Sequence, residues 1–230
     1  EEIVVGRGPY PAVGGWAVVL DDMLGDFAWM AGIRIPDNAY NLASGETRPA
    51  CGDVDGDGRD EVVLATGPAP GLAGFARVYD DATAGFAPLG RVIHPDALFR
   101  QRNGGLWPAV GDFDGNGPGE LALGPGAGGG GLVWLFRDAA GGFGLDRAVG
   151  FPWTAYDDAV GEVRLAAGNV DQDIADELVG AQGTYPTNGG NAFVWDDRGA
   201  QFAGLGWLRY ASPAYRQANG EIFPAVGNLR

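Results

Sequence analysis

The chain has 230 residues, of which 42 are glycine, and carries a formal charge of −15 in which every cation is an arginine. That length suffices for one large all-β domain or two small ones with a real core. The acidity excludes nucleic acid and anionic membrane as partners, since phosphates would be repelled. No apolar run is long enough to span a membrane, so no membrane insertion is expected. Cys51 is the only cysteine, which excludes an intrachain disulfide, and its setting in Pro49-Ala50-Cys51-Gly52 reads as a small core residue.

Internal repetition organises everything else. Phe27, Phe86, Phe143 and Phe202 are separated by 59, 57 and 59 residues, and Gly45, Gly104, Gly161 and Gly220 keep the same steps. Glu2, Glu61, Glu120 and Glu177, and likewise Gly8, Gly67, Gly126 and Gly183, recur at 59, 59 and 57. The chain is therefore four repeats of about 58 residues, read as one domain over residues 1–230.

In chain order, each repeat opens on a short strand: residues 2–6, 61–65, 120–124 or 177–180. A glycine-rich turn leads to a second β-rich run ending in acid: Trp16 to Asp22, Phe75 to Asp81, Leu132 to Asp138 and Asn191 to Asp197. The third strand starts near the recurrent phenylalanine, and a fourth ends in Pro108-Ala-Val-Gly111 or its counterparts. No segment has helical periodicity. Short strands with turns every 8–12 residues indicate a sandwich, barrel or propeller, and a four-strand unit repeated radially is the propeller pattern. The expected fold is all-β, a four-bladed β-propeller with four antiparallel strands per blade. Its N-terminal strand, residues 1–6, is expected to close the last blade beside Phe223-Pro-Ala-Val-Gly227, leaving the fourth loop cut open.

Acids cluster after the fourth strand. Loop one is Asp53-Val-Asp55-Gly-Asp57-Gly58-Arg59-Asp60-Glu61. Oxygen side chains at alternate positions, with glycine sixth, wrap a chain around one hard cation. Asp53, Asp55 and Asp57 would supply side chains, Arg59 its carbonyl, and Glu61 (or Asp60) the closing carboxylate. Loop two repeats the layout with Asp112, Asp114, Asn116, Pro118 and Glu120. Loop three keeps Asn169, Asp171, Asp173, Ala175 and Glu177 but has Ile174 where glycine eased the turn, so weaker binding is expected. The chain ends offer only Asn228, Arg230, Glu1 and Glu2, with little or no binding. Calcium fits better than zinc, because every ligand is oxygen and neither His94 nor Cys51 lies in one of these acidic loops. The plain alternative is a set of solvated acidic turns.

Gly52-Asp-Val-Asp-Gly-Asp-Gly-Arg-Asp-Glu-Val-Val resembles the FG-GAP, or VCBS-type, repeat of integrin α-chain propellers, bacterial surface proteins and fungal lectins. The resemblance runs through the whole chain. It implies an extracellular, calcium-stabilised propeller used in adhesion or ligand binding.

His94, the sole histidine, has no nucleophile beside it and reads as a surface or loop residue. The acid pairs Asp21-Asp22, Asp80-Asp81 and Asp196-Asp197 recur at one strand end, and with Asp157-Asp158 read as turn acids, not a hydrolase pair. The run 124–131 lacks the Lys-Ser/Thr of a phosphate loop and reads as a hairpin connection. Tyr40, Phe99, Tyr156 and Tyr215 are aromatic at equivalent positions, and with Trp107, Trp153 and Trp207 could pack or bind sugar. No catalytic constellation appears, so no enzyme is expected. A secreted or cell-surface module is, either lectin-like or adhesive toward a glycan or extracellular protein, or assembling with copies of itself into a layer or filament.

Overall fold

The computed structural model describes residues 2–227. Asn228, Arg230 and Glu1, expected near the closure, lie outside the described residues. Four antiparallel sheets follow the four repeats, each strand pairing with its neighbour in sequence. The first sheet holds β1 (Ile3–Val5), β2 (Trp16–Leu20) and β3 (Trp29–Arg34), and α1 (Asn38–Ala43) follows. The second holds β4 (Thr47–Gly52), β5 (Glu61–Thr66), β6 (Phe75–Tyr79) and β7 (Pro88–Ile93), then α2 (Ala97–Arg102). The third holds β8 (Leu106–Gly111), β9 (Glu120–Pro125), β10 (Leu132–Phe136) and β11 (Leu145–Gly150), then α3 (Thr154–Ala159). The fourth holds β12 (Val163–Gly168), β13 (Glu177–Gln182), β14 (Asn191–Trp195) and β15 (Gly204–Arg209), then α4 (Pro213–Ala218). One up-and-down sheet per repeat is the blade organisation of a four-bladed β-propeller.

The phase of the blade differs from the phase read in the sequence. The second, third and fourth sheets start with the strand that precedes the acidic loop, so the loop joins two neighbouring strands, as Gly52 opposite Glu61 shows. The first sheet starts one strand later and has three strands instead of the expected four. The last sheet is therefore complete with β12 to β15. β1 pairs with β2 in the first sheet, Val4 facing Val19, and among the described residues no strand of the last sheet joins it as expected. β1 is thus an edge strand of that sheet.

Within a sheet, the strand after the acidic loop is covered on both faces. β5, β9 and β13 are buried along their whole length, which is why they read as continuous apolar runs. The turn after the second strand is set by its terminal acid. Asp81 Oδ1 accepts from the Thr83 and Ala84 N–H groups, and Phe86 N–H returns to the Asp81 carbonyl at 2.9 Å. Phe27, Phe86, Phe143 and Phe202 all take left-handed φ of 52–56° there. Their recurrence records a turn geometry, and the second acid of each strand-end pair is a turn residue.

Among the described residues, four six-residue α-helices each follow the last strand of a sheet, and none is substantial. Fewer than two turns leave no periodicity to see. Asp37, Asp96 and Ser212 cap three of them, and the recurrent glycines Gly45, Gly104, Gly161 and Gly220 end all four with φ of 56–71°. The aromatic on each helix is an anchor. Tyr156 Oη donates to the Glu162 carbonyl at 2.6 Å and accepts from Gly183 N–H at 2.8 Å, while Tyr40 bonds the Glu46 carbonyl and accepts from Gly67 N–H. Tyr40, Phe99 and Tyr156 are buried, which removes them as sugar platforms.

The chain divides into two compact units, Glu1–Gly52 with Arg59–Leu106, and Asp53–Gly58 with Trp107–Arg230. The first is built on Ile35, Tyr40, Val62, Leu64 and Phe75. The second is built on Phe113, Leu135, Phe151, Tyr156, Leu178 and Trp195. Two single residues depart from expectation. Cys51 is exposed rather than in the core. His94 is buried, packed on Phe99 at 4.8 Å just before α2, and burial lowers its pKa to about 4. Local composition reveals neither: Cys51 stands on β4, whose residues after Thr47 are only partly covered, and His94 is buried by its contact with Phe99 of α2.

Candidate metal centres in the acidic loops

Loop one leaves β4 and folds on its own acids. Asp53 accepts from Gly56 N–H at 2.7 Å and Gly58 N–H at 2.9 Å, and Asp55 from Asp57 N–H at 3.1 Å. Glycines in left-handed φ at 56 and 58 permit the tight wrap. One oxygen each from Asp53, Asp55 and Asp57 then lies within 4.8 Å of the others. Arg59, exposed, pairs with Asp81 at 3.6 Å, and Glu61 is buried at the start of β5; both belong to the first unit.

Loop two gathers Asp112, Asp114 and Glu120 within the same 4.8 Å. Asn116 N–H donates to Asp112 and Asp114, and the Asn116 side chain lines a cavity of about 300 Å³ with Asp114, Glu120, Arg137, Asp138 and Arg198. Pro118 lies against Gly56, where a Cβ would come within 3.0 Å of its ring. Glu120 is buried and accepts from Phe113 N–H at 2.9 Å. Burial, with Asp114 and Asp112 adding to it, pushes its carboxyl up to about 8. Arg198 answers part of this charge, at 2.7 Å from Asp114 and 3.0 Å from Asp146.

Loop three gathers Asp171 and Glu177 with Asp196, again within 4.8 Å. Asp196 directly follows β14 and reads in the sequence as a turn acid. Asn169 and Asp173 are spent on the loop itself: Asn169 accepts from Gln172 N–H and donates to the Asp173 carbonyl, and Asp173 accepts from the N–H of buried Ala175. Ile174 is exposed and lacks the positive φ of Gly58 and Gly117, while Gln172 takes the left-handed position of Gly56 and Gly115. Glu177 is fully buried, which raises its pKa.

Carboxylates held this close repel unless protonated or neutralised, so these groups could hold a metal ion. Sequence reasoning missed Asp196 and Arg198. The signal was present: positions 21, 80, 137 and 196 are equivalent, and carry Asp, Asp, Arg and Asp. Among the aromatics, Trp107 Nε1 donates to Glu162 and its ring lies under the Arg164 guanidinium. Trp153 and Trp207 pack edge-on at 6.0 Å, and Trp207 keeps 47% of its surface exposed.

Fold and loops together define an all-β repeat protein of the propeller type with acidic strand connections. No family model matches the chain, and no curated protein is similar to it in sequence. Among solved structures it is similar to rhamnogalacturonan lyase YesW, with a TM-score of 0.52 and 14% identity over 89% of this chain and 39% of that one. The Dos1 propeller aligns with a TM-score of 0.48 and 12% identity over 86% of this chain and 44% of that one. The chain spans less than half the length of either. At 14% identity the likeness to the lyase concerns the fold alone.

Proposed function

We propose that this chain is an extracellular calcium-binding β-propeller acting as a lectin-like or adhesive binding module, not an enzyme. The observation that carries the reading is the convergence of carboxylates in strand connections of successive repeats, with Glu120 and Glu177 buried at two of them. The donors are all oxygen, which suits calcium over zinc or copper. Extracellular modules of this kind work at calcium dissociation constants of about 10⁻⁴–10⁻³ M, the range an exposed acidic loop supplies. Half-exposed Trp207 beside Trp153 offers a flat apolar face for a sugar ring. A metal-stripped sample melted with calcium and with chelator tests the metal. A glycan array read on wild type and Trp207→Ala tests the ligand. Equal melting in both solutions contradicts the calcium reading, and an array with no calcium-dependent signal contradicts the lectin reading.

A second reading, a structural subunit that assembles with its own copies, has an observation in its favour. Ile3 and Val5 are 45% and 47% exposed, although their repeat counterparts Val62 and Leu64 are buried. The last sheet carries an apolar cavity of about 630 Å³ lined by Val179, Val194, Leu208 and Phe223. One copy could seat its first sheet on the last sheet of the next. Electron microscopy and light scattering at rising concentration separate the readings: a monomer at all concentrations removes the second.

A further inference from the structure

We propose that Asp171, Glu177 and Asp196 form a divalent-cation site that ties loop three to the turn between β14 and β15, with Asp196 as a ligand from outside the loop. The inference rests on the calcium reading of the loops and changes which residues do the binding. Three carboxylate oxygens lie within 4.8 Å of one another. The independent observation is Glu177. Its side chain is completely buried, Oε2 accepts from Val170 N–H at 2.5 Å and Asp171 N–H at 3.2 Å, and Oε1 has no hydrogen-bond partner. A buried carboxylate oxygen without a donor is costly, and a cation bound among these three groups removes that cost.

The neighbouring repeat shows the alternative. There Arg137 stands where Asp196 stands in the last repeat, and Arg198 pairs with Asp114, so side chains supply positive charge to loop two. Among the described residues, no arginine forms an ion pair with Asp171, Glu177 or Asp196. Three hard oxygen donors and a formal charge of three suit a calcium-sized divalent ion. Asp173, whose carboxylate is turned to Ala175 N–H, is left out of the set. Loop three, which lacks the glycine, thereby becomes a stronger site than its loop sequence alone predicts.

The test uses the full chain, metal-stripped, titrated calorimetrically with calcium and in parallel with terbium, whose emission is sensitised by a nearby indole. Trp195 precedes Asp196 in the chain and serves as that antenna. Asp196→Asn should weaken one site by roughly tenfold or more and remove its sensitised emission, because the ligand charge falls. Asp55→Ala should leave that emission in place. In chelator, Glu177→Gln should melt higher than wild type and lose the calcium-dependent rise, which a merely structural role would not produce. Wild-type isotherms retained by Asp196→Asn would overturn the inference while leaving the calcium reading standing, provided Asp55→Ala still weakens binding. Absence of any binding by wild type would overturn both. A Glu177→Gln variant that melts lower in chelator yet keeps its calcium response would also overturn the inference.

Discussion

Loops two and three share a layout and differ in how their charge is met. In loop two a buried glutamate and two aspartates sit beside Arg198, drawn in by ion pairs to Asp114 and Asp146, with Arg137 lining the same cavity. In loop three an equally buried glutamate meets Asp196 at the position of that second arginine. The comparison teaches that a ligand set cannot be scored along the loop alone. A residue about twenty positions downstream, on the next strand end, decides whether the site adds negative charge or cancels it.

Exchange of that position should give the largest effect. Arg137→Asp combined with Arg198→Ser should make loop two resemble loop three, and Asp196→Arg should do the reverse. Because an ion that binds only the folded chain stabilises it by RT ln(1 + [Ca]/Kd), a gained or lost site should change calcium-dependent stability by about 2.7 kcal/mol at a hundred-fold excess over Kd. Melting in calcium and in chelator reads the change. An unaltered difference in either exchanged protein breaks the comparison.

Removal of the buried charge in loop two should give the next effect. Glu120 has its carboxyl raised to about 8 in the fold, chiefly by burial, from an ordinary value of 4.5. The folded state thus prefers the protonated form. The penalty is complete above about pH 8, shrinks as pH falls, and is gone below about 4.5. In chelator, Glu120→Gln should therefore stabilise the protein at pH 8 by about 2 kcal/mol and leave it nearly unchanged at pH 4.5, as urea unfolding at the two values will show. Stabilisation that is equal at both values would remove the charge argument.

The smallest effect belongs to the backbone. Gln172 holds φ at 75°, where loops one and two have glycine. Gln172→Gly should stabilise the chain by roughly 0.5–1 kcal/mol, with calcium affinity unchanged, by chemical unfolding. A larger gain in affinity than in stability would show that loop geometry, not Asp196, limits the third site.

Much of the fold was legible because the repeat is spelled out at fixed positions. The strand runs 61–65, 120–124 and 177–180 were recognisable as apolar segments after an acid, and they are the strands covered on both faces. The phase of the blade was not legible, since a strand reads the same whether it ends one sheet or begins the next. The helices escaped because six residues held by a Tyr40 or Tyr156 hydroxyl depend on a tertiary bond, not on periodicity. Loops one and two were visible as oxygen patterns of fixed spacing. Asp196 was not, because its contact with Asp171 and Glu177 is made across the sheet. His94 reads as a surface or loop residue because one histidine in a turn-like context says nothing of the Phe99 ring packed on it.

The central claim is that the acidic loops hold divalent cations through the carboxylates the fold brings together. It is tested most directly by anomalous diffraction from crystals of the full chain grown in millimolar calcium. The account predicts a difference peak among Asp171, Glu177 and Asp196, and another among Asp53, Asp55 and Asp57. A map with no peak at either group, from crystals that diffract well enough to show the sulfur of Cys51, would contradict it.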